Sequence, residues 1–267
     1  MLLSPGALAN PGSTPTAIAE AASSRWRFAI ALGYGLRSNP LIQSDDIPII
    51  VDLDIAWFGD RFFFDNGDVG LTLSDNRMFT LDFVTRVNSE RVFFGRTDTQ
   101  FVSFAADGST LATPVLLEVP DRDFAVEAGI ELLTDGDWGE LQLTAFRDVS
   151  ATHGGYELFV DYAYRWRHDR WVIKPSLGVS YHSRSLNDYY WGVTADEAAE
   201  SAGALPQYRL QAGINAHARL AAQYIVSKHW SFAAALEYER MNDDAAQSPI
   251  VAQRSVRGYF AGMSYRF

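Results

Sequence analysis

Residues 256–267 read VRGYFAGMSYRF, and every second residue of this stretch, counted back from its end, is apolar or aromatic. The residues on this phase are Phe267, Tyr265, Met263, Ala261 and Tyr259, whereas those between them are mostly small or polar. Successive side chains of a β-strand point to opposite faces of the sheet, so this alternation predicts a strand with two unlike faces.

The same period of two recurs along most of the chain. It is clear from Trp26 to Leu36, from Ile49 to Trp57, from Tyr156 to Trp166, from Trp171 to Tyr181 and from Trp230 to Leu236. A helical period of 3.6 residues is not the dominant pattern in any of these runs. We therefore expect an all-β protein built from repeated two-faced strands.

The length of the runs and the position of their aromatic residues favour a barrel in a membrane. The runs are about 11 residues long, and a strand of that length tilted near 45° crosses about 25 Å, the height of the apolar band of an outer-membrane barrel. Large rings such as Trp26, Trp57, Trp171 and Tyr181 lie near the ends of the runs, where the two membrane interfaces would be. A strand in the core of a water-soluble sandwich has no reason for this placement.

The connections alternate between short and long, which is typical of short periplasmic turns and longer extracellular loops. The pattern predicts a transmembrane antiparallel up-and-down β-barrel of about twelve strands, with ten as the alternative. The short links are 59–60, 88–90, 134–137, 167–169 and 227–228, all expected on the periplasmic side, and the long ones are 37–46, 105–122, 183–206 and 241–255. The predicted strands are 26–36, 47–58, 61–73, 77–87, 91–104, 123–133, 138–148, 155–166, 170–182, 207–226, 229–240 and 256–267.

Three of these strands are irregular. The strand 91–104 alternates weakly and is retained because the count would otherwise be odd. In 61–73 the apolar phase slips near DNGD, residues 65–68, which indicates a bulge. The strand 207–226 keeps its phase over an unusual length, so we expect it to project beyond the membrane.

A last strand with Phe at its final position and Tyr two residues earlier is typical of the signal by which the barrel assembly machinery recognises outer-membrane proteins. We therefore predict that Tyr265 and Phe267 form a C-terminal assembly signal, and that the last strand pairs with the first to close the barrel. The expected location is the outer membrane of a Gram-negative cell, as an integral protein surrounded by outer-membrane lipid.

The face opposite the apolar one carries charges of both signs, which suits a hydrated or ion-paired lumen. The candidate lumen charges are Arg86, Glu127, Asp161, Arg209 and Arg219. Two interpretations stay open for them: a ring that selects solutes in a channel, or internal salt bridges that fill a narrow barrel.

One long loop, 183–206, carries its own helix signal. Thr194 followed by Glu197 matches a capping box, so a short helix is expected from about 195 to 202. Tyr189, Tyr190 and Glu197 are candidate outer-loop contacts. The loop either covers the lumen as a ligand-contacting lid or folds on itself and packs its aromatic rings at the barrel rim; the second interpretation is favoured.

Composition excludes several other classes of protein. No stretch approaches the roughly 20 apolar residues of a transmembrane helix, and with no cysteine there is no disulfide framework. The net charge of −11 argues against nucleic-acid binding. None of the five histidines has metal-ligand spacing. We expect no cofactor, no metal and no catalytic residue; the loosest alternative is a lipase using His182 with Ser183, Ser185 and Asn187.

Residues 1–25 form a separate segment before the expected barrel of residues 26–267. They are small, contain Pro and Gly, and have no charge before Glu20. They are expected to be either a disordered leader or the remnant of a truncated signal peptide.

Several stretches, in this order, resemble the MipA/OmpV family of outer-membrane proteins, also called the MltA-interacting protein family. The most specific are YYWGVTADEA, residues 189–198, and DAAQSPIV, residues 244–251. GDRFFFDNGDVGLTLSD, residues 59–75, and the closing FAGMSYRF, residues 260–267, also match. The resemblance is weakest across 91–122.

The resemblance implies a non-enzymatic outer-membrane barrel with a structural or scaffolding role in the cell envelope. The role named for the family is a scaffold that binds a murein hydrolase, a lytic transglycosylase, together with a peptidoglycan synthase. Other members are implicated in solute passage, adhesion or stress response. The alternative from a different class is therefore a porin-like channel for small solutes.

Overall fold

A computed structural model describes residues 26–94, 119–201 and 204–267, which form one antiparallel β-sheet closed on itself. Strands β8 and β9 both pair with β10, so they form one interrupted strand and the ring has twelve strand positions. The strands are β1 Trp26–Arg37, β2 Ile47–Phe58, β3 Phe62–Asp65, β4 Asp68–Asp75, β5 Thr80–Val87, β6 Val126–Gly136, β7 Gly139–Asp148, β8 Tyr156–Ala163, β9 Trp166–His168, β10 Trp171–His182, β11 Gly213–Ile225, β12 Trp230–Arg240 and β13 Ser255–Arg266.

Closure occurs where β13 pairs with β1, in a register that sets Ile30 opposite Tyr265 and Leu36 opposite Tyr259. β10 pairs with β11 on the far side, which completes the ring. The all-β, up-and-down barrel expected from the alternation is thus confirmed. We call the end with Trp26 and Arg266 the terminal end and the opposite one the loop end.

Short helices lie at the loop end only, among the described residues. They are α1 Arg184–Trp191, α2 Ala195–Glu200, α3 Asp243–Ala246 and a 3₁₀ turn at Glu90–Phe93. Within the described ranges, no helix has the length and hydropathy needed to span a membrane.

The aromatic residues form two belts on the outer surface of the barrel, as their positions near the ends of the alternating runs predicted. Six of the seven tryptophans lie near the terminal end, where Trp26 contacts Trp57 with ring centroids 6.3 Å apart. Tyrosines dominate near the loop end, where Tyr34 contacts Tyr259 and Tyr156 contacts Tyr181. Ring systems with one polar edge are suited to the two membrane interfaces. The belts therefore mark the height of the wall that faces lipid.

The predicted strand 61–73 is wrong, because the chain reverses direction at Asn66 and Gly67. Both residues have positive φ, 51° and 110°, and they join β3 to β4 in a two-residue hairpin that pairs Asp65 with Asp68. Asn-Gly is the preferred pair for such a turn, because both positions require positive φ. What the sequence showed as a phase slip is this reversal and not a bulge.

The predicted membrane strand 91–104 does not start at 91 and does not occupy its expected place in the sheet. Residues 90–93 form the 3₁₀ turn, and β5 pairs directly with β6 from Thr80 opposite Leu133 to Val87 opposite Val126, so no strand lies between them. Residues 95–104 lie outside the described residues. The even strand count is restored by the β3–β4 hairpin, and the link 88–90 lies at the loop end rather than on the periplasmic side.

The long strand 207–226 is shorter than predicted. β11 begins at Gly213, and residues 207–212 belong to the loop end, where Tyr208 forms an isolated bridge with Val193. The other short links lie at the terminal end, as expected, and the leader 1–25 lies outside the described residues.

Described strands fill only the lower part of the wall between β2 and β5. Ile55 of β2 donates its N–H to Asn66 Oδ1 and accepts from the Asn66 N–H, both at 2.9 Å, so its backbone groups point toward β3. Alternate residues of a strand point the same way, so the backbone groups of Leu53 and Val51 also point away from β1. They lie beyond the hairpin tip, where no described strand pairs with them.

Candidate functional site: the barrel lumen and its loop cap

The connections at the loop end pack together into a compact structure, which we call the loop cap and which comprises residues 38–46, 88–94, 183–201, 204–212 and 241–254. Its buried apolar cluster draws on every one of these segments. Its members include Leu41, Phe93, Phe94, Leu186, Tyr190, Trp191, Leu210, Met241 and Ile250. Such a cluster, built from segments distant in sequence, fixes the connections relative to one another.

Helix α1 supplies the centre of the cap. Its buried residues Leu186, Asn187, Tyr190 and Trp191 follow helical spacing and form one stripe. The ring of Trp191 lies 6.0 Å from that of Phe93 and 5.5 Å from that of Phe94, centroid to centroid. Tyr189 and Tyr190, the candidate outer-loop contacts, lie within this helix, which no sequence motif had indicated. Burial, followed by the nearby carboxylates of Glu90 and Glu127, raises the pKa of the Tyr190 hydroxyl.

Helix α2 is fastened to the cap by an ion pair. The capping box between Thr194 and Glu197 is present, as predicted. The Glu197 carboxylate also accepts from Arg122 Nη1 at 2.6 Å, and Arg122 Nη2 donates to the Gly192 carbonyl at 3.0 Å. Burial alone would raise the pKa of Glu197, but the hydrogen bonds from Arg122 and the Thr194 backbone outweigh it and lower that pKa. Glu197 thus joins α2 to the segment that precedes β6.

Beneath the cap, Arg86 of β5 lies between two carboxylates that are almost fully buried. Its Nε donates to Glu127 Oε2 at 2.9 Å and its Nη2 to Glu157 Oε2 at 2.5 Å. The other oxygens of both carboxylates accept from Asn88 Nδ2, each at 2.8 Å. The guanidinium also stacks 4.0 Å from the centre of the Phe146 ring. We call Arg86, Asn88, Glu127, Glu157 and His153 the buried ion network.

His153 completes this network from a connection. Its Nδ1 accepts from the Gly155 N–H at 3.0 Å, so in the neutral ring the proton is on Nε2, which lies 3.3 Å from Glu127 Oε1. Asp148 holds the connection in place by accepting from the backbone N–H groups of Ser150, His153 and Gly154. The carboxylate of Glu127, 0% exposed, therefore accepts from Arg86 Nε and Asn88 Nδ2 and has the His153 ring beside it.

The lower lumen is lined by further ion pairs. Arg27 Nη2 lies 3.1 Å from both Asp54 Oδ1 and Asp65 Oδ1, which links β1 to β2 and β3. His217 Nε2 and Asp161 Oδ1 are 2.5 Å apart, and Arg219 Nε is 3.2 Å from Glu237 Oε1. Charges of both signs thus brace neighbouring strands across the lumen.

Four of the five candidate lumen charges, Arg86, Glu127, Asp161 and Arg219, lie on the inward face of their strands and each contacts a partner of opposite charge. Arg209 does not: it lies before β11, half-exposed in the loop cap, with Nη1 2.6 Å from Asp188 Oδ2. The prediction that Arg209 is a lumen residue is wrong, because residues 207–212 alternate in the sequence but are not part of a barrel strand.

The two residues of the predicted assembly signal lie at the seam of the barrel. Tyr265 packs against Trp230 with ring centroids 4.8 Å apart, and Phe267 donates its N–H to the Phe28 carbonyl at 3.1 Å while its side chain stays 76% exposed. Their role in assembly stays a prediction.

Two members of the buried ion network, Asn88 and His153, were not predicted from the sequence. Both lie in connections, where the contacts of a side chain depend on how the connection folds. Three of the residues considered for a lipase are engaged in packing at the loop end. His182 is buried, Ser183 Oγ accepts from the Tyr156 N–H, and Asn187 Nδ2 donates to the Gln211 carbonyl. Among the residues that the structure describes, no group of His, Asp or Glu side chains is arranged to hold a metal ion.

The family model described as MltA-interacting protein MipA matches residues 30–267. The MltA-interacting protein of Escherichia coli K12 is 23% identical over 251 residues, which is 93% of this chain and 94% of that protein. YiaT of the same strain, whose name describes an outer membrane protein, is 25% identical over 150 residues, 56% of this chain and only 60% of YiaT.

Among solved structures, the toluene transporter TodX of Pseudomonas putida matches with a TM-score of 0.41 and 11% sequence identity, over 98% of this chain and 93% of that one. A score of this size is too low to carry a conclusion about function.

Proposed function

This chain belongs to the MltA-interacting protein MipA family of outer-membrane barrels, and we propose that it is a non-enzymatic barrel with a structural or scaffolding role in the cell envelope. The observation that carries the proposal is the loop cap. Its apolar cluster and the buried ion network beneath it occupy the loop end with packed side chains. An interior of this kind stabilises a barrel and leaves little room for solute flow.

The name of the relative suggests the murein enzyme MltA as the class of partner. The family resemblance adds a peptidoglycan synthase. Such a partner would meet the terminal end of the barrel, which lies on the periplasmic side in an outer-membrane protein with short periplasmic turns. Among the described residues, the surface available there consists of the turns near Asp60, Arg77, Asp137, Asp169 and Lys228, which carry charges of both signs.

The test of the scaffold is binding of a purified lytic transglycosylase from the same cell to the full chain folded in lipid nanodiscs. The matched variants reverse charge at the terminal end, Asp137→Lys with Asp169→Lys, or at the loop end, Asp45→Lys with Asp123→Lys. We expect saturable binding that the first pair weakens and the second leaves unchanged. Absence of binding, or equal loss in both pairs, contradicts a scaffold that uses the terminal end.

A second candidate function is a channel for small solutes, which is favoured by a cavity of about 110 Å³ inside the barrel at the terminal end. Single-channel recordings in planar bilayers separate the two candidates, with heat-modifiable gel mobility as the folding control. The scaffold predicts a folded barrel that is electrically silent. Discrete conductance steps that change in Arg219→Gln or Glu127→Gln would establish the channel instead.

A further inference from the structure

The cavity at the terminal end is bounded by β1, β2, β11, β12 and β13 and by the turn between β11 and β12. Because Ser227, Lys228 and His229 of that turn are among its lining residues, it opens toward the terminal end. It is separate from the buried ion network, none of whose members lines it. A concave space with a few convergent polar groups is the usual form of a small-molecule site.

Two carboxylates lie on the β2 side of this cavity. In the strand register Asp54 lies opposite Ala29, and Asp52 lies opposite Ala31, one step further from the turn. Asp54 is only 6% exposed. Its Oδ1 accepts from Arg27 Nε at 3.1 Å and from Asn66 Nδ2 at 3.3 Å.

The second oxygen of this carboxylate, Asp54 Oδ2, is buried and has no hydrogen-bond partner among the described residues. A buried acceptor without a donor has lost its hydration without compensation, and the cost is larger when the acceptor is charged. A donor brought by a bound molecule would remove that cost. The N–H groups of an ammonium are well suited, since they donate to carboxylates in short, charge-assisted hydrogen bonds.

Three cations line the same cavity: Lys228, Arg266, and Arg219, which is paired with Glu237. Lys228 lies in the turn, and Arg266 lies opposite Ala29 on the other side of β1, so it is at the level of Asp54. Both side chains belong to exposed residues. The wall between the two sets of charges is made of small side chains, Ala29, Ala31, Ala221 and Ala222.

We propose that this cavity binds a small zwitterion, a molecule that carries an ammonium and a carboxylate on a short aliphatic frame. The ammonium contacts Asp52 and Asp54, the carboxylate contacts Lys228 and Arg266, and the alanine wall takes the frame. A molecule with one charge fits less well, because it leaves either Asp54 Oδ2 without a donor or the exposed cations Lys228 and Arg266 without an acceptor. This site does not depend on the scaffold function, and it lies in the same cavity that favours the channel candidate.

The experiment uses three probes of similar length that differ only in their charged ends: γ-aminobutyrate, n-butylammonium and butyrate. Binding to the full chain, folded in detergent micelles, is measured by calorimetry and by saturation-transfer NMR. We expect γ-aminobutyrate to bind at least about tenfold more tightly than either singly charged probe. Equal or tighter binding of n-butylammonium or butyrate overturns the zwitterion assignment, and absence of saturable binding at millimolar concentration shows a cavity that holds water only.

Variants locate the site. Asp52→Asn and Asp54→Asn are expected to weaken γ-aminobutyrate binding by about tenfold, and Lys228→Gln by a smaller factor. Asp169→Asn, an exposed acid on another turn of the same end, is the matched control and is expected to bind as the parent does. Since Asp54→Asn also loses the contact with Arg27, Asp52→Asn provides the test in a background that keeps that ion pair. Unchanged binding in Asp52→Asn and Lys228→Gln overturns the proposed placement.

Discussion

Replacing Arg86 by methionine removes the cation that both buried carboxylates of the ion network contact. Methionine keeps much of the length and the apolar stem of the side chain, so the perturbation is mainly the loss of charge and of donors. The carboxylates of Glu127 and Glu157, 0% and 2% exposed, are left facing each other with Asn88 as the remaining donor and the His153 ring 3.3 Å from Glu127.

The magnitude follows from the contacts. Two charge-assisted hydrogen bonds, at 2.9 and 2.5 Å, are lost. At about 1.5–3 kcal/mol each they sum to about 3–6 kcal/mol. Breaking a buried ion pair from one side costs about 3–5 kcal/mol by a separate estimate. We expect Arg86→Met to lower the free energy of unfolding by about 4 kcal/mol.

The assay is reversible urea unfolding from lipid vesicles, followed by tryptophan fluorescence. Arg170→Met, at an exposed position in the turn before β10, is the control and is expected to stay within about 0.5 kcal/mol of the parent. The triple variant Arg86→Met, Glu127→Gln, Glu157→Gln should regain part of the loss, because no uncompensated charge remains buried. A loss below about 1 kcal/mol in Arg86→Met, with no gain in the triple variant, would refute this account of the network.

Three further outcomes are expected. Because the pKa of Glu197 is lowered in the folded cap, its contribution to stability is present above about pH 4.5 and lost as the pH falls below that value. Amide-exchange protection of α2 should therefore drop below that pH in the parent but not in Arg122→Gln. An equal drop in both proteins would mean that the pH dependence comes from a group other than Glu197. Gly67→Ala should lower the free energy of unfolding in urea by about 1–3 kcal/mol, because φ is 110° at this residue, whereas Gly258→Ala should lower it by less. Equal losses in the two variants would show that the positive φ of Gly67 is not the cause. Deleting Phe267 should slow insertion by reconstituted barrel assembly machinery and leave spontaneous folding in detergent unchanged; equal slowing of both would mean a purely structural role.

The sequence predicted the barrel because its wall follows a physical rule that is local. A strand with lipid on one side and lumen on the other must alternate, and its aromatic residues must lie at the interfaces. This is why β1, β12 and β13 were predicted within a residue or two of their ends, and why the capping box of α2 was found from two residues.

The β3–β4 hairpin was missed although its signal was present. In a two-residue hairpin the flanking residues pair across the turn at a sequence separation of three, as Asp65 and Asp68 do. Residues on one face therefore change from even to odd numbers across the turn. The apolar residues Phe62 and Phe64 before Asn66-Gly67, and Val69 and Leu71 after it, show that change.

The interior of the cap could not be predicted, since its contacts join residues far apart in sequence. Asn88 and Glu157 are 69 residues apart and Arg122 and Glu197 are 75 apart. Neither pair is set by a period or by a motif. At Arg209 a local pattern was misleading. The alternation of β11 continues through this residue in the sequence, but the backbone there is held by contacts of the cap, such as the hydrogen bond from the Leu210 N–H to Asp188.

In the part of the chain that the structure describes, no strand pairs with the upper part of β2 on the side away from β1. β12, by contrast, pairs with both of its neighbours along its length. Hydrocarbon offers no hydrogen bonds to backbone groups such as those of Val51 and Leu53, and each such group left unpaired in lipid costs several kcal/mol. The upper part of β2 therefore requires donors and acceptors from outside the described strands, from water, lipid headgroups or a further extended segment.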